Sequence, residues 1–175
     1  MKNNIILIGM PGAGKSTAGV ILAKTLGLGF VDTDILISKQ CGMTLQKYID
    51  TYGIVDFLKA EEHAALTLDC ENTVIATGGS MVLSDIAMQH LGSGSVTVFI
   101  DVPLAVLTRR LRNIKTRGIV LRPGQTISGV YSERQPLYRR YADLTVPTDV
   151  RKRLTLEGIV AEILVALKKF CLEME

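Results

Sequence analysis

Short runs of consecutive apolar residues alternate along the chain with longer stretches whose apolar positions recur every three or four residues. Ile5 to Ile8 is apolar at every position, which predicts a strand buried on both faces. Ala18 to Leu26 predicts a helix, with Val20, Ile21, Leu22 and Leu26 as its apolar side. Phe30 to Asp32 predicts a short second strand, and two or three helices cover Asp34 to about Cys70. Thr73 to Thr77 and Ser95 to Ile100 predict the third and fourth strands. Pro103 opens a helix, where its missing N–H costs nothing. Leu144 to Val146 predicts the fifth strand. Ile159, Val160, Ile163, Leu164, Leu167 and Phe170 make one stripe on a final helix.

Strands apolar on both sides, alternating with helices, predict an α/β fold: a parallel sheet with helices on both faces. Ligands of such sheets bind beyond the carboxyl ends of the strands. The segments there are polar or glycine-rich: Gly9 to Ser16 after the first strand, Asp32 and Asp34 at the second, Thr77 to Ser80 after the third, Asp101 after the fourth. The candidate chemistry therefore converges on one edge.

The chain's 175 residues predict one domain, large enough for a core without disulfide or metal staples. No apolar run approaches the ~18 residues of a membrane span, and Met1 to Asn4 leads into a strand without the pattern of a secretory signal. Three cysteines, Cys41, Cys70 and Cys171, are widely spaced with no CxxC, so a cytoplasmic location is expected. The net charge of +3 is uneven: Lys and Arg outnumber Asp and Glu twelve to four between residues 101 and 155. That excess is either a solvated helical face or a pocket for a polyanion. Aromatic residues make up 5% and include no Trp, which argues against a stacking surface for single-stranded nucleic acid. Neither nucleic acid nor membrane is an expected partner.

Gly9-Met-Pro-Gly-Ala-Gly-Lys15-Ser16 fits the pattern G-x-x-x-x-G-K-[ST] in its required setting, between a strand and a helix. Glycines let successive N–H groups turn toward an anion, and the helix N-terminus adds positive potential. Gly12, Ala13, Gly14, Lys15, Ser16 and Thr17 are thus candidate residues for binding the phosphates of a nucleotide. Lys15 reaches the outer phosphates, and the Ser16 hydroxyl is a candidate Mg²⁺ ligand. A GTP-dependent switch would need DxxG and NKxD. Asp50 to Gly53 fits the first by chance, among helices, and the second is absent. A strand ending in Asp-Glu, expected of a nucleic-acid motor, is also absent. A small-molecule kinase remains, with a non-catalytic nucleotide-binding regulator as the lesser alternative.

Asp32-Thr-Asp34, Phe57 to Glu61, Gly78-Gly79, Arg117 and Glu133-Arg-Gln-Pro-Leu-Tyr138, taken in this order after the phosphate loop, resemble the shikimate kinases from Ile5 to about Leu167. The resemblance implies a three-layer P-loop nucleoside-kinase-like fold with a five-stranded parallel sheet in the order 2-3-1-4-5. It implies one kinase domain over 1–175, a helical substrate-binding region at 33–60 and a lid at 112–125. It implies transfer of the γ-phosphate of ATP to a hydroxyl of a small polyhydroxy acid, and a monomer is expected. Asp32 would hold Mg²⁺ through water. Asp34 would orient the acceptor hydroxyl and take its proton, and a cap on the helix that follows is a second, compatible reading. Gly78 and Gly79 would let substrate approach backbone N–H groups, and Arg134 would clamp its carboxylate. Arg117 would swing in from the lid as a catalytic cation, and Arg110 would flank the adenine. Pro136 and Tyr138 read as helix termination and packing.

Three positions depart from the family pattern. Leu58 stands where the family has an arginine, Ser80 replaces a third glycine, and the lid reads Arg117-Gly118-Ile119-Val120. Lys59 lies ~100° around the helix from Leu58 and is not expected to stand in for that arginine. These changes cluster around the acceptor, so a sister kinase for another small hydroxylated metabolite stays open beside shikimate itself.

Overall fold

The computed structural model describes residues 3–111, 120, 122, 124–148 and 155–174. Its strands are β1 (Asn4–Ile8), β2 (Gly29–Asp32), β3 (Thr73–Ala76), β4 (Ser95–Asp101) and β5 (Leu144–Pro147). Its helices are α1 (Lys15–Leu26), α2 (Thr33–Cys41), α3 (Leu45–Leu66), α4 (Asp85–Gly92), α5 (Leu104–Leu111), α6 (Ile127–Tyr141) and α7 (Leu156–Met174), with a 3-10 turn at Met81–Leu83. The sheet order is β2-β3-β1-β4-β5 and every pairing is parallel. All five residues of β1 are buried, as its unbroken apolar run requires. Its position between β3 and β4 places the loop that follows it at the middle of the sheet's carboxyl edge.

The buried face of α1 is turned away from the predicted one. Ala18, Gly19, Leu22 and Ala23 face the sheet, while Val20 and Leu26 are 49% and 41% exposed. Close approach is the reason: a Cβ on Gly19 would lie 2.7 Å from the Phe30 ring. Small side chains let the helix settle onto β1 and β2, and larger apolar residues beside them are pushed outward. The predicted stripe on α7 does face inward, with Ile159, Val160 and Ile163 fully covered as α7 packs along α1.

Two apolar clusters divide the interior. The main one surrounds the sheet and includes Phe99 of β4 stacked on Tyr138 of α6, with ring centroids 5.1 Å apart. Burying a side chain of this size stabilises the fold by about 1.5–3 kcal/mol. A smaller cluster of Ile37, Leu45, Phe57, Ala64 and Val120 holds α2 and α3 together beside the sheet edge. Within α3 the helix breaks at Gly53, whose φ is +84°. Pro136 does not terminate α6 but lies inside it. The missing N–H weakens the helix locally, and the buried Tyr138 beyond it holds the last turn in place.

Candidate active site

The chain leaves β1 through Gly9, where φ is +145° and a Cβ would stand 2.8 Å from the Ile100 carbonyl oxygen. Gly14, at φ +99°, caps α1 in the left-handed conformation that favours glycine. Lys15 opens the helix, is buried, and donates from Nζ to the carbonyls of Gly9 (2.7 Å) and Met10 (3.0 Å). The loop is thus folded around its own lysine. Gly12, Gly14 and Ser16 line the pocket it encloses. The Ala13 N–H donates to the Met10 carbonyl (3.1 Å), so it closes the loop internally, and Thr17 is exposed. First-turn N–H groups of a helix have no partners within it and give this end of α1 a positive potential. Arg110 of α5 donates to the carbonyls of Gly12 (2.9 Å) and Ala13 (3.4 Å), which joins α5 to the loop. Burial lowers its pKa from the usual guanidinium value, with Arg109 adding repulsion.

Asp32 ends β2 and caps α2, accepting from the N–H groups of Asp34 (2.9 Å) and Ile35 (3.3 Å). The capping role considered for Asp34 therefore belongs to Asp32. Asp34 lies in the first turn of α2, where the helix dipole favours its charge. Ser16, Asp32 and Asp34 share a cavity of about 610 Å³. Asp34 also reaches the neighbouring pocket beside Lys15.

The glycine pair after β3 splits into two roles. The Gly78 N–H donates to the Thr33 hydroxyl (3.0 Å), so Gly78 contributes room in place of the expected N–H. A Cβ there would collide with the Glu61 carboxylate and lie 2.8 Å from Oδ1 of Asp34. Gly79 allows equally close contact with Pro11 of the phosphate loop. Its carbonyl accepts from Arg134 Nη1 (3.0 Å) and from the Tyr138 hydroxyl (2.6 Å).

Arg134 is 3% exposed, and its Nη2 donates to the Val120 carbonyl (3.1 Å). Its buried Nε has no hydrogen-bond partner. The adjacent Glu133 turns outward to Gln125 and Arg122, so Arg134 is not a surface arginine paired with its neighbour. Glu61 of α3, 2% exposed, accepts a short hydrogen bond from the Ser80 hydroxyl. Burial pushes its carboxyl up to about 8. Attraction from Ser80, Arg134 and Lys15 opposes that rise, and Asp34 adds to it. Lys15, Ser16, Asp34, Glu61, Gly79, Ser80 and Arg134 line one narrow pocket.

Leu58 is half-buried and lines a separate cavity with Val55, Met81 and Leu83, which Glu61 and Ser80 divide from the narrow pocket. Lys59 is solvent-exposed and paired with Asp56 (3.1 Å), in keeping with its expected lack of a role in the pocket. Arg117 lies outside the described residues, as does most of the 112–125 segment. Thr33 and the Glu61–Ser80 pair escaped the sequence reading, and Tyr138, read there as packing, also bonds the Gly79 carbonyl. Tyr138 follows Arg134 by four positions on a helix and so shares its face. Thr33 lies between the two aspartates. Nothing in sequence separation links Glu61 to Ser80.

The family model described as shikimate kinase matches residues 11–168. A shikimate kinase of Pseudomonas aeruginosa strain LESB58 is 39% identical over 171 residues, spanning 95% of this chain and 96% of that protein. One from Aquifex aeolicus is 33% identical over 165 residues, spanning 94% and 95%. Among solved structures, the Acinetobacter baumannii shikimate kinase in complex with shikimate superposes with a TM-score of 0.86 at 29% identity, covering 95% of this chain and 93% of the other. The Aquifex aeolicus enzyme superposes with a TM-score of 0.82 at 33% identity, covering 97% and 98%.

Proposed function

The chain belongs to the shikimate kinase family, small-molecule kinases that transfer phosphate from ATP to a hydroxyl of shikimate, and from that premise we propose how its own residues divide the work. The carrying observation is that Lys15, Asp34 and Arg134, from three different helices, line one pocket.

On the donor side the loop over Gly12–Thr17 surrounds the phosphates of ATP. Lys15 exchanges its carbonyl partners for phosphate oxygens, and Arg110 flanks the nucleotide from α5. Ser16 and Asp32 offer a hydroxyl and a carboxylate oxygen at one cavity, hard donors that suit Mg²⁺. An ion held by them would neutralise charge on the transferring phosphoryl group. Asp32 Oδ1 serves the α2 cap, so Oδ2 is the oxygen with which Asp32 would help hold the metal.

On the acceptor side Arg134 receives the shikimate carboxylate through Nε and its remaining N–H groups, while Gly79 keeps the substrate close to the phosphate loop. Asp34 orients the hydroxyl and takes its proton as the phosphoryl group arrives. Positioned proton transfer of this kind contributes about 10²–10⁴ in rate. Arg117 supplies a further positive charge from the lid. We place the working enzyme in the cytoplasm as a monomer. Among the described residues no helix is long and apolar enough to cross a membrane.

The test is release of ADP from Mg·ATP in the presence of shikimate, with the product identified by mass. Shikimate is expected to be turned over faster than other small hydroxy acids and polyols. Faster turnover of any of these would return the acceptor question to Leu58 and Ser80.

A further inference from the structure

We propose that Glu61, held in place by Ser80, is a positioning residue that sets the pH range over which this kinase accepts its carboxylate substrate: neutral Glu61 leaves Arg134 to the substrate, and ionised Glu61 competes for it. The inference rests on the assignment of Arg134 as the carboxylate's receiver.

Glu61 and Arg134 share the walls of the narrow pocket, and both are almost completely buried. Arg134 lines the pocket, and its buried Nε has no hydrogen-bond partner, so the guanidinium keeps an unused donor for an acceptor. Two anions can supply it, the substrate's carboxylate and Glu61. Ser80 holds one oxygen of Glu61, and the other lies beside Gly78, where any side chain would collide with it. No second guanidinium relieves the competition at position 58, where Leu58 faces a different cavity.

The charged and titratable groups around Glu61 fix the sign. Asp34 from α2 raises its pKa, while Arg134 from α6 and Lys15 from α1 lower it. Tyr138 of α6 also faces it, with its own pKa pushed far up by burial, so the phenol stays neutral. On α3 itself, Lys59 and Glu62 face the other cavity. Burial outweighs the two cations and holds the carboxyl neutral up to about pH 8. Above that, two carboxylates face one guanidinium among buried side chains, and like charges in such a site cannot both remain ionised cheaply. Substrate binding then takes up a proton onto Glu61.

The experiment is a profile of KM for shikimate and KM for ATP between about pH 6 and pH 9.5. KM for shikimate is expected to be level up to about pH 8 and then to rise by up to about tenfold per pH unit, without a matching rise in KM for ATP. Glu61→Gln, permanently neutral, should abolish the bend in KM for shikimate. Ser80→Ala removes a hydrogen bond that favours the ionised form, so the bend should move to higher pH. This variant carries the test if Glu61→Gln does not fold. Calorimetry in buffers of different ionisation enthalpy should show proton uptake with shikimate above about pH 8 in the wild type. A level KM for shikimate across the whole range, or a bend that survives in Glu61→Gln, would overturn the inference while leaving the kinase assignment intact. Absence of shikimate turnover at every pH would instead overturn the assignment, and the inference with it.

Discussion

Lys15 and Asp34 are separated by 19 positions in the chain yet line one pocket, and the residue-scale predictions follow from their different duties. Lys15→Ala should abolish turnover, measured as ADP release, because it removes the cation around which the phosphate loop is folded. Asp34→Asn keeps the side chain's shape and removes its basicity. It should lower kcat by about 10²–10⁴ while ATP affinity, read by calorimetry, stays within about threefold. A collapse of ATP affinity would place Asp34 in the metal site instead. Glu61 makes a separate prediction about stability. Its folded-state pKa is raised from 4.5 to about 8, so its favourable contribution is complete below pH 4.5 and is lost as pH rises through about 8. Glu61→Gln carries no such loss. Urea midpoints should therefore show the variant gaining on the wild type between about pH 5 and about pH 9. A gap that does not change with pH would mean Glu61 is already ionised in the folded protein.

At the scale of elements, the site depends on how closely helices approach the sheet. Gly19 lets α1, the helix that Lys15 opens, lie against Phe30 and Leu7. Gly19→Ala should cost about 1–3 kcal/mol by overpacking, seen as a lower denaturant midpoint with an unchanged slope. Helix α6 carries Arg134 and Tyr138 on one face, and both bond the Gly79 carbonyl. Tyr138→Phe removes one of these bonds and should cost about 0.5–1.5 kcal/mol, while raising KM for shikimate more than KM for ATP. The strand pattern was legible because a strand buried on both faces must be apolar throughout. The orientation of α1 was not, because helix faces near a phosphate loop are chosen by fit. Gly and Ala carry little hydrophobic signal, and they are what close approach demands.

For the molecule as a whole, the donor half is centred on the contiguous loop Gly12–Thr17, and the acceptor half is drawn from dispersed residues. Binding of Mg·ATP engages elements from β1 to α5, so it should stabilise the entire fold. At a nucleotide concentration of 100 times Kd the gain is about 2.7 kcal/mol, measurable as a rise in Tm that Lys15→Ala removes. The amino-acid sequence by itself determined the alternation of elements and the phosphate loop, which rest on local rules: periodicity, glycine placement, and motif spacing over a few positions. Most of the other candidate site residues followed from the resemblance of the motif order to the shikimate kinases. Only the tertiary structure decided that Asp32 and not Asp34 caps α2, that Gly78 spends its N–H on Thr33, and that Arg134 is buried with an unsatisfied Nε. It alone joined Glu61 to Ser80, 19 residues apart, and turned Leu58 toward another cavity. Those outcomes depend on which side chains meet across helices that the chain connects by long detours, and burial, which sets the charge of Glu61, exists only once they have met.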